Sequence, residues 1–346
     1  MRKRFSYLSI ASATLLTLTL ALTGCSGEKD ASADVSSNGY QKMEIKLSHV
    51  AAEDTPKGQS AIKFKEIVES KSDHTITVKV YPSGQLYGDN DEIEALQANN
   101  VQIIAPSAAK IGGFNKSFEI FDLPFMFKDH KALYSFEDGE GGKKLLSKVD
   151  SAGMIGLDFW PNGFKHVTNN KREIKAPEDL KGLKVRTHGG EIINDVYKTL
   201  GAGSAKIAFN ETYQALQLGT VDGQENSLIN FESQKYTEVQ KYMTLSSHAR
   251  SEYVLLANKS WWNKLNDKTK DLLNEAIKES TKTGRELEDK YEKEAMEKIK
   301  QSGKVNIHEL TDDERNEFIK KLQPVTDKWS KEMDSDILQK AKESNQ

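Results

Sequence analysis

The stretch MEIKLSHVAAEDTPKGQSAIKFKEIVESKSDHTITVKVY, residues 43–81, decides the fold class. Residues 43–50 alternate apolar and polar side chains at a period of two, which predicts a β-strand, and residues 75–81 alternate in the same way. Between them, residues 61–70 carry apolar side chains at helical spacing, after a loop that contains Pro56. The stretch therefore predicts a strand, a helix and a second strand in succession.

The same alternation continues along the chain. Residues 91–98 are typical of a short helix, and the apolar run 101–105 of a buried strand. A second round begins with the apolar run 155–160, which we expect to end at Pro161 because proline cannot donate to a strand ladder. Residues 261–346 are charged and amphipathic, and predict long surface helices. The pattern indicates an α/β fold in which helices cover both faces of a mostly parallel sheet.

The amino terminus predicts export. Residues 1–4 are cationic, residues 7–22 are apolar but short for a membrane span, and Leu-Thr-Gly precedes Cys25, the single cysteine. This pattern resembles the lipobox of bacterial lipoproteins, in which the signal peptide, here residues 1–24, is removed and the cysteine is lipidated. The chain is then expected to be lipid-anchored on the outer, extracytoplasmic face of the bacterial cytoplasmic membrane. The alternative is a leader with an incidental cysteine.

Composition limits the remaining possibilities. Residues 25–40 are small and polar and predict a disordered tether, after which about 300 residues remain, enough for two domains. A formal net charge of -3, from 49 basic and 52 acidic residues, argues against a nucleic-acid binder. Past the leader, no segment has the roughly 18 consecutive apolar residues of a membrane helix. Action at the membrane would therefore require a protein partner.

The sequence contains no recognisable catalytic motif. Its seven histidines are scattered without metal-ligand spacing, and Cys25 alone cannot form a thiolate zinc site. Residues 203–206 lack the closing glycine of a nucleophile elbow, and residues 139–143 lack the spacing of a phosphate loop. We therefore predict no enzymatic activity, no metal and no cofactor. A secreted enzyme that acts on an organic acid is kept as a distant alternative.

Four segments resemble the DctP family, the dicarboxylate-binding receptors of tripartite ATP-independent periplasmic (TRAP) transporters. They occur in the family's order and span most of the body: 49–58, 121–127, 163–186 and 215–226. The resemblance implies a solute-binding receptor that closes over a small dicarboxylate of the malate, fumarate or succinate type.

The resemblance also implies a two-lobed, periplasmic-binding-protein-like (Venus flytrap) fold with long C-terminal helices. In this sequence the expected lobe I comprises residues 41–163 and 251–290. The expected lobe II comprises residues 164–250 and 291–346, which include the C-terminal helices. Both lobes are thus discontinuous in the chain, which should cross between them more than once.

Arg186 is the first candidate for the ligand site. A dianion that leaves water needs charged or doubly donating groups at each carboxylate, and a guanidinium presents two parallel donors that match two oxygens. Family receptors carry their carboxylate-clamping arginine in the segment that here reads 182–186. Asn226 matches the family asparagine that donates an amide to the same carboxylate. The alternatives are a surface ion pair for Arg186 and a local turn for Asn226.

Lys165 and His166 occupy the segment in which many relatives have a second arginine. A lysine offers one point charge where arginine offers a fork, so the preference among diacids stays open. His166 is alternatively a packing residue.

The resemblance implies further ligand contacts from lobe I. Lys57 is similar to the lysine that dicarboxylate-binding relatives use for the far carboxylate, whereas a loop lysine is ordinarily solvated. His49 and Ser107, at predicted strand ends on the same side, are weaker candidates. Trp160 would line the pocket or belong to the core.

Two partners remain open at this point. The closed receptor would deliver its ligand to a TRAP membrane permease, or it would present ligand occupancy to a membrane histidine kinase that controls dicarboxylate uptake. The gene neighbourhood would distinguish these two partners.

Overall fold

The computed structural model of the protein describes residues 35–346. The predicted signal peptide, residues 1–24, and Cys25 lie outside the described residues. Close to the start of the described chain, the side-chain amide of Asn38 donates to the carbonyl oxygen of Ser72 at 2.9 Å. The chain therefore already contacts the folded body at Asn38, inside the segment predicted as a tether.

The described residues form eleven strands, which lie in two sheets. In chain order they are β1 (Met43–Ser48), β2 (Ile76–Tyr81), β3 (Ile103–Ile104), β4 (Met154–Phe164), β5 (His166–Asn169), β6 (Lys184–Thr187), β7 (Gly203–Lys206), β8 (Gly223–Asn226), β9 (Tyr242–Leu245), β10 (Arg250–Asn258) and β11 (Asn306–Glu309).

Both sheets mix parallel and antiparallel pairs. The first has the order β2-β1-β3-β10-β4, with β1 parallel to β2 and β3, and β10 antiparallel to β3 and β4. The second has the order β11-β9-β5-β8-β6-β7, in which β5 is antiparallel to both of its neighbours. The strand-helix-strand unit predicted from residues 43–81 is thus present in parallel form. The antiparallel strands β5 and β10 were not predicted.

Helices cover the sheets and connect their strands. In chain order they are α1 (Pro56–Lys71), α2 (Glu92–Gln97), α3 (Ala108–Ile111), α4 (His130–Asp138), α5 (Glu140–Ser147), α6 (Glu191–Thr199), α7 (Thr212–Gln217), α8 (Leu228–Ser233), α9 (Lys259–Asn263), α10 (Asp267–Ser302), α11 (Asp312–Trp329) and α12 (Ser335–Glu343). Helix α1 begins at Pro56, inside the predicted loop and before the predicted start at residue 61, because Thr55 accepts a hydrogen bond from the Gly58 N–H and Pro56 occupies the first turn.

The predicted end of a strand at Pro161 is wrong. Strand β4 continues to Phe164, and its register against β10 shifts between Ser251 and Glu252, where Glu252 lies opposite Pro161. A β-bulge of this kind accommodates a residue without an N–H and bends the strand. Strand β5 of the second sheet begins directly afterwards, at His166.

The chain passes between the sheets at adjacent points. Strand β4 of the first sheet is followed at once by β5 of the second, and β9 of the second sheet leads back to β10 of the first. A backbone hydrogen bond joins the two connections: the Lys165 N–H donates to the carbonyl oxygen of Ala249 at 2.9 Å. The 36-residue helix α10 makes the third passage. Among residues 35–346, none of the helices is both long and apolar enough to span a membrane.

Candidate ligand-binding site

A small cavity lies where the two sheets face each other. It measures about 30 Å³, and a single water needs about 10–15 Å³ on this scale. Segments of both sheets contribute polar side chains to its wall: Asp89, Ser107, Lys110, Arg186, His188, Asn226, Asn230, Ser251 and Tyr253. Two cations, Arg186 and Lys110, lie in this wall together with neutral donors, so its chemistry suits an anion.

Arg186 is held in the wall with one nitrogen free. It lies in β6 and is only 1% exposed, and its Nε donates to the carbonyl oxygen of Ile207 at 2.9 Å. Within the described part of the chain, Nη2 has no hydrogen-bond partner. A buried guanidinium without a counter-ion is costly, so the free donor is a group that an anionic ligand can satisfy.

Asn226 ends β8 and lines the same cavity. Its Oδ1 accepts hydrogen bonds from the Ser227 N–H at 3.1 Å and from the Asn230 side chain at 2.8 Å. Because the amide oxygen is occupied, the amide N–H group is the one that can donate into the cavity. Asn230 also donates to the hydroxyl of Tyr253 at 3.3 Å, which links α8 to β10.

Lys57 is buried beside the cavity and does not line it. Its ammonium donates to the carbonyl oxygen of Ala105 at 3.1 Å and lies 3.4 Å from the centroid of the Tyr253 ring. Burial lowers the pKa of Lys57 to about 8, whereas the same burial raises the pKa of nearby Glu92 to about 8. Tyr253 does line the cavity, so it lies in contact with both the cavity and Lys57.

His49, Ser107 and Trp160 have different surroundings. Ser107, just before α3, lines the cavity and pairs with Tyr253 in an isolated β-bridge. His49 is fully buried without a partner for either ring nitrogen among the described residues, and burial lowers its pKa to about 3, so the ring is neutral. Trp160 is fully buried in the apolar core of the first sheet.

Lys165 is fully engaged by protein carboxylates. Its ammonium bonds Asp122 and, at 3.1 Å, Glu225, and it lies 3.3 Å from Nε2 of His188. Burial by itself raises the pKa of Asp122 and of Glu225. The charge of Lys165 and the neighbouring imidazoles outweigh burial, so the pKa of each carboxyl lies below its usual range. Lys165 therefore lies behind His188, which itself lines the cavity.

His166 faces Asn226 in the β5–β8 pairing and does not line the cavity. Its Nδ1 accepts a hydrogen bond from the Ser247 N–H at 3.4 Å. Burial lowers the pKa of His166 to about 3, so the ring is neutral.

Several lining residues were not singled out from the sequence. His188 lies two residues after Arg186, and Lys110 lies one helical turn after Ser107, so spacing from a predicted residue could have indicated both. Asp89 and Tyr253 come from a loop and from an antiparallel strand that the pattern did not predict. For these two residues the sequence offered no signal.

Comparison with known proteins identifies the family. The family described as bacterial extracellular solute-binding protein, family 7 (DctP), matches residues 47–332. The C4-dicarboxylate-binding periplasmic protein DctP of Rhodobacter capsulatus is 41% identical over 86% of this chain and 90% of its own. The C4-dicarboxylate-binding protein DctB of Bacillus subtilis is 39% identical over 86% of each chain.

A solved structure shows the same fold. The TRAP periplasmic solute-binding protein of Shewanella oneidensis with bound succinate is similar at a TM-score of 0.85 and 37% identity, over 88% of this chain and 99% of that one. The predicted family and fold class, including a long helix in the C-terminal part, are thereby confirmed.

Proposed function

This chain belongs to the bacterial extracellular solute-binding proteins of family 7, and we propose that it binds a four-carbon dicarboxylate and delivers it to a membrane transport system. The observation that carries the proposal is the buried Arg186, which lines a small cavity and whose Nη2 has no protein partner in the described chain. The relatives named for C4-dicarboxylates and the succinate-bound neighbour support this ligand class. Succinate, fumarate and malate are the candidates.

In this proposal the ligand is shared between two lobes. Arg186 and Asn226 bind one carboxylate from the second sheet, while Ser107 and Tyr253 approach from the first. Lys57, His49 and Trp160 support the first-sheet wall, and Lys165 and His166 support the second. Because each lobe alone leaves the ligand's charge incompletely matched, binding favours the closed state.

The proposed lobes are residues 41–163 with 251–290, and 164–250 with 291–346. The division of the strands between two sheets supports the boundaries near residues 163 and 250, since the sheet changes between Phe164 and His166 and again between Leu245 and Arg250.

The ligand class can be tested by calorimetry on the purified protein. We expect succinate, fumarate or malate to bind with a Kd on the order of 1 μM, about -8 kcal/mol. Galactonate, a six-carbon sugar acid, and butyrate, which lacks the second carboxylate, serve as controls. Binding of galactonate without measurable binding of any four-carbon diacid would contradict the proposal. Recovery of the diacid unchanged after long incubation is expected of a receptor, whereas conversion would indicate an enzyme.

We further propose a lipid anchor at Cys25 on the outer face of the cytoplasmic membrane. The lipobox-like sequence that ends at Cys25 supports this placement. Cys25→Ser should move the protein from the membrane pellet to the soluble fraction, and an unchanged distribution would exclude the anchor.

A TRAP permease is the partner that the family favours, with a membrane histidine kinase as the alternative. Loss of succinate uptake without loss of its transcriptional response, after deletion of the gene, would support the permease. The reverse result would support the kinase.

A further inference from the structure

Three residues lie between the ligand cavity and a larger outer cavity. The outer cavity measures about 310 Å³ and is lined by Lys116, Lys206 and Glu191 among others. Asp89, Lys110 and His188 line both cavities. They therefore form the passage between the ligand cavity and the cleft mouth, and we refer to these three residues as the throat.

Lys110 and Asp89 form a buried ion pair at the throat. The Lys110 ammonium lies 3.0 Å from Oδ2 of Asp89, and the two side chains are only 8% and 4% exposed. A lysine ammonium has three N–H donors, and Asp89 is its one ion-pair partner among the described residues. At least one further donor of Lys110 is thus available to a ligand in the adjoining cavity.

Asp89 also connects the two sides of the cleft. It follows β2 of the first sheet, yet its Oδ2 accepts a hydrogen bond at 2.9 Å from the backbone N–H of Phe209, which follows β7 of the second sheet. The position of Lys110 at the throat is therefore fixed by a residue that is bonded across the cleft.

A dicarboxylate needs a second cation besides Arg186. Lys57 and Lys165 do not line the ligand cavity, and Arg186 and Lys110 are the only lysine or arginine side chains among the described residues that do. Resting on the proposed function, we propose that Lys110 binds the ligand's second carboxylate and so selects diacids, with Asp89 as the residue that positions it. The competing interpretation is that Lys110 only neutralises Asp89.

Two variants separate these interpretations. Lys110→Met removes the cation but leaves Asp89 buried without its partner. The double variant Lys110→Met with Asp89→Asn removes both charges, and the asparagine oxygen can still accept from the Phe209 N–H. Lys206→Met is the matched control, because Lys206 lines the outer cavity and not the ligand cavity. Succinate is titrated into each variant and the wild type by calorimetry.

We expect both Lys110 variants to lose succinate affinity by about 30-fold or more, as for loss of a buried charge partner, and the Lys206 control to stay within about threefold. A double variant that regains affinity within about threefold of wild type would overturn the proposal, since Lys110 would then only neutralise Asp89. A Lys110→Met protein that keeps its affinity would also overturn it. Wild-type protein that binds no four-carbon diacid would instead refute the proposed function.

Discussion

Arg186 and Lys165 are both buried cations, but their surroundings differ. Lys165 has two carboxylates, Asp122 and Glu225, within bonding distance, whereas Arg186 has one backbone carbonyl and an unpartnered Nη2 within the described residues. Lys165 is therefore neutralised by the protein's own carboxylates, whereas Arg186 can be neutralised by a bound ligand. The sequence identified both residues but not this difference, because Asp122 lies 43 residues before Lys165 and its proximity depends on the tertiary fold.

Lys165→Met should destabilise the protein. The substitution leaves the carboxylates of Asp122 and Glu225 buried without their ammonium, and breaking a buried pair in this way costs about 3–5 kcal/mol. Urea denaturation at neutral pH measures the change, with the exposed Lys181→Met as the control. A loss below about 1 kcal/mol would show that Lys165 is not needed to compensate these charges.

Glu92→Gln should change the pH dependence of stability. Burial raises the pKa of Glu92 from 4.5 to about 8, and neither carboxyl oxygen has a partner among the described residues. The folded protein therefore retains a proton that the unfolded chain releases, so this group's contribution to stability is lost as pH rises from about 4.5 to about 8. We expect Glu92→Gln to have little effect at pH 4 and to stabilise by about 4 kcal/mol at pH 8.5.

Thermal or urea unfolding at the two pH values measures this effect. If wild type and Glu92→Gln differ in unfolding free energy by the same amount at both pH values, ionisation of Glu92 is not the cause of that difference.

At the scale of elements, local patterns predicted the helices better than the strand pairing. Helical spacing predicted α1 over residues 61–70, and the helix begins earlier, at Pro56, because the Thr55 cap and the proline favour a start there. Strand β10 is buried at every residue, so it lacks the alternation that would indicate a strand, and its antiparallel pairing depends on distant residues of β4. The bulge opposite Pro161 likewise depends on β10 and could not be predicted from the proline alone.

Gly58→Ala should destabilise α1. Alanine is the better helix former by about 1 kcal/mol, but a Cβ at Gly58 would lie 2.3 Å from the carbonyl oxygen of Glu53 and 2.5 Å from that of Ala52. The backbone before the helix must then shift, and we expect a net loss of about 1–3 kcal/mol by urea denaturation. Gly113→Ala is the control, since a Cβ there meets nothing within 4 Å. Equal stability of the two variants would contradict the clash.

At the scale of the whole molecule, the two sheets are joined where Lys165 and Ala249 are hydrogen-bonded, and again through α10. The family resemblance implied discontinuous lobes, but nothing in the hydrophobic pattern of 43–81 or 155–160 indicates that these stretches share one sheet. The ligand site, too, could be predicted from the sequence only in part. Arg186 and Asn226 were predicted from the motifs that contain them, whereas Asp89 and Tyr253 join the cavity only through the packing of one sheet against the other.

Such an arrangement predicts that one side chain of the second sheet controls ligand binding by the whole molecule. Arg186→Met keeps an unbranched side chain of similar reach but removes the guanidinium, so the ligand's carboxylate would be buried without its cation. The wild-type thermal unfolding profile, measured without ligand, provides the control for folding.

The most direct measurement is a calorimetric titration of succinate into wild-type protein and Arg186→Met. We expect wild-type binding in the micromolar range and, for the folded variant, a loss of about 100-fold or more, which corresponds to about 3 kcal/mol. Affinity of the folded variant within about threefold of wild type would show that Arg186 does not bind the carboxylate.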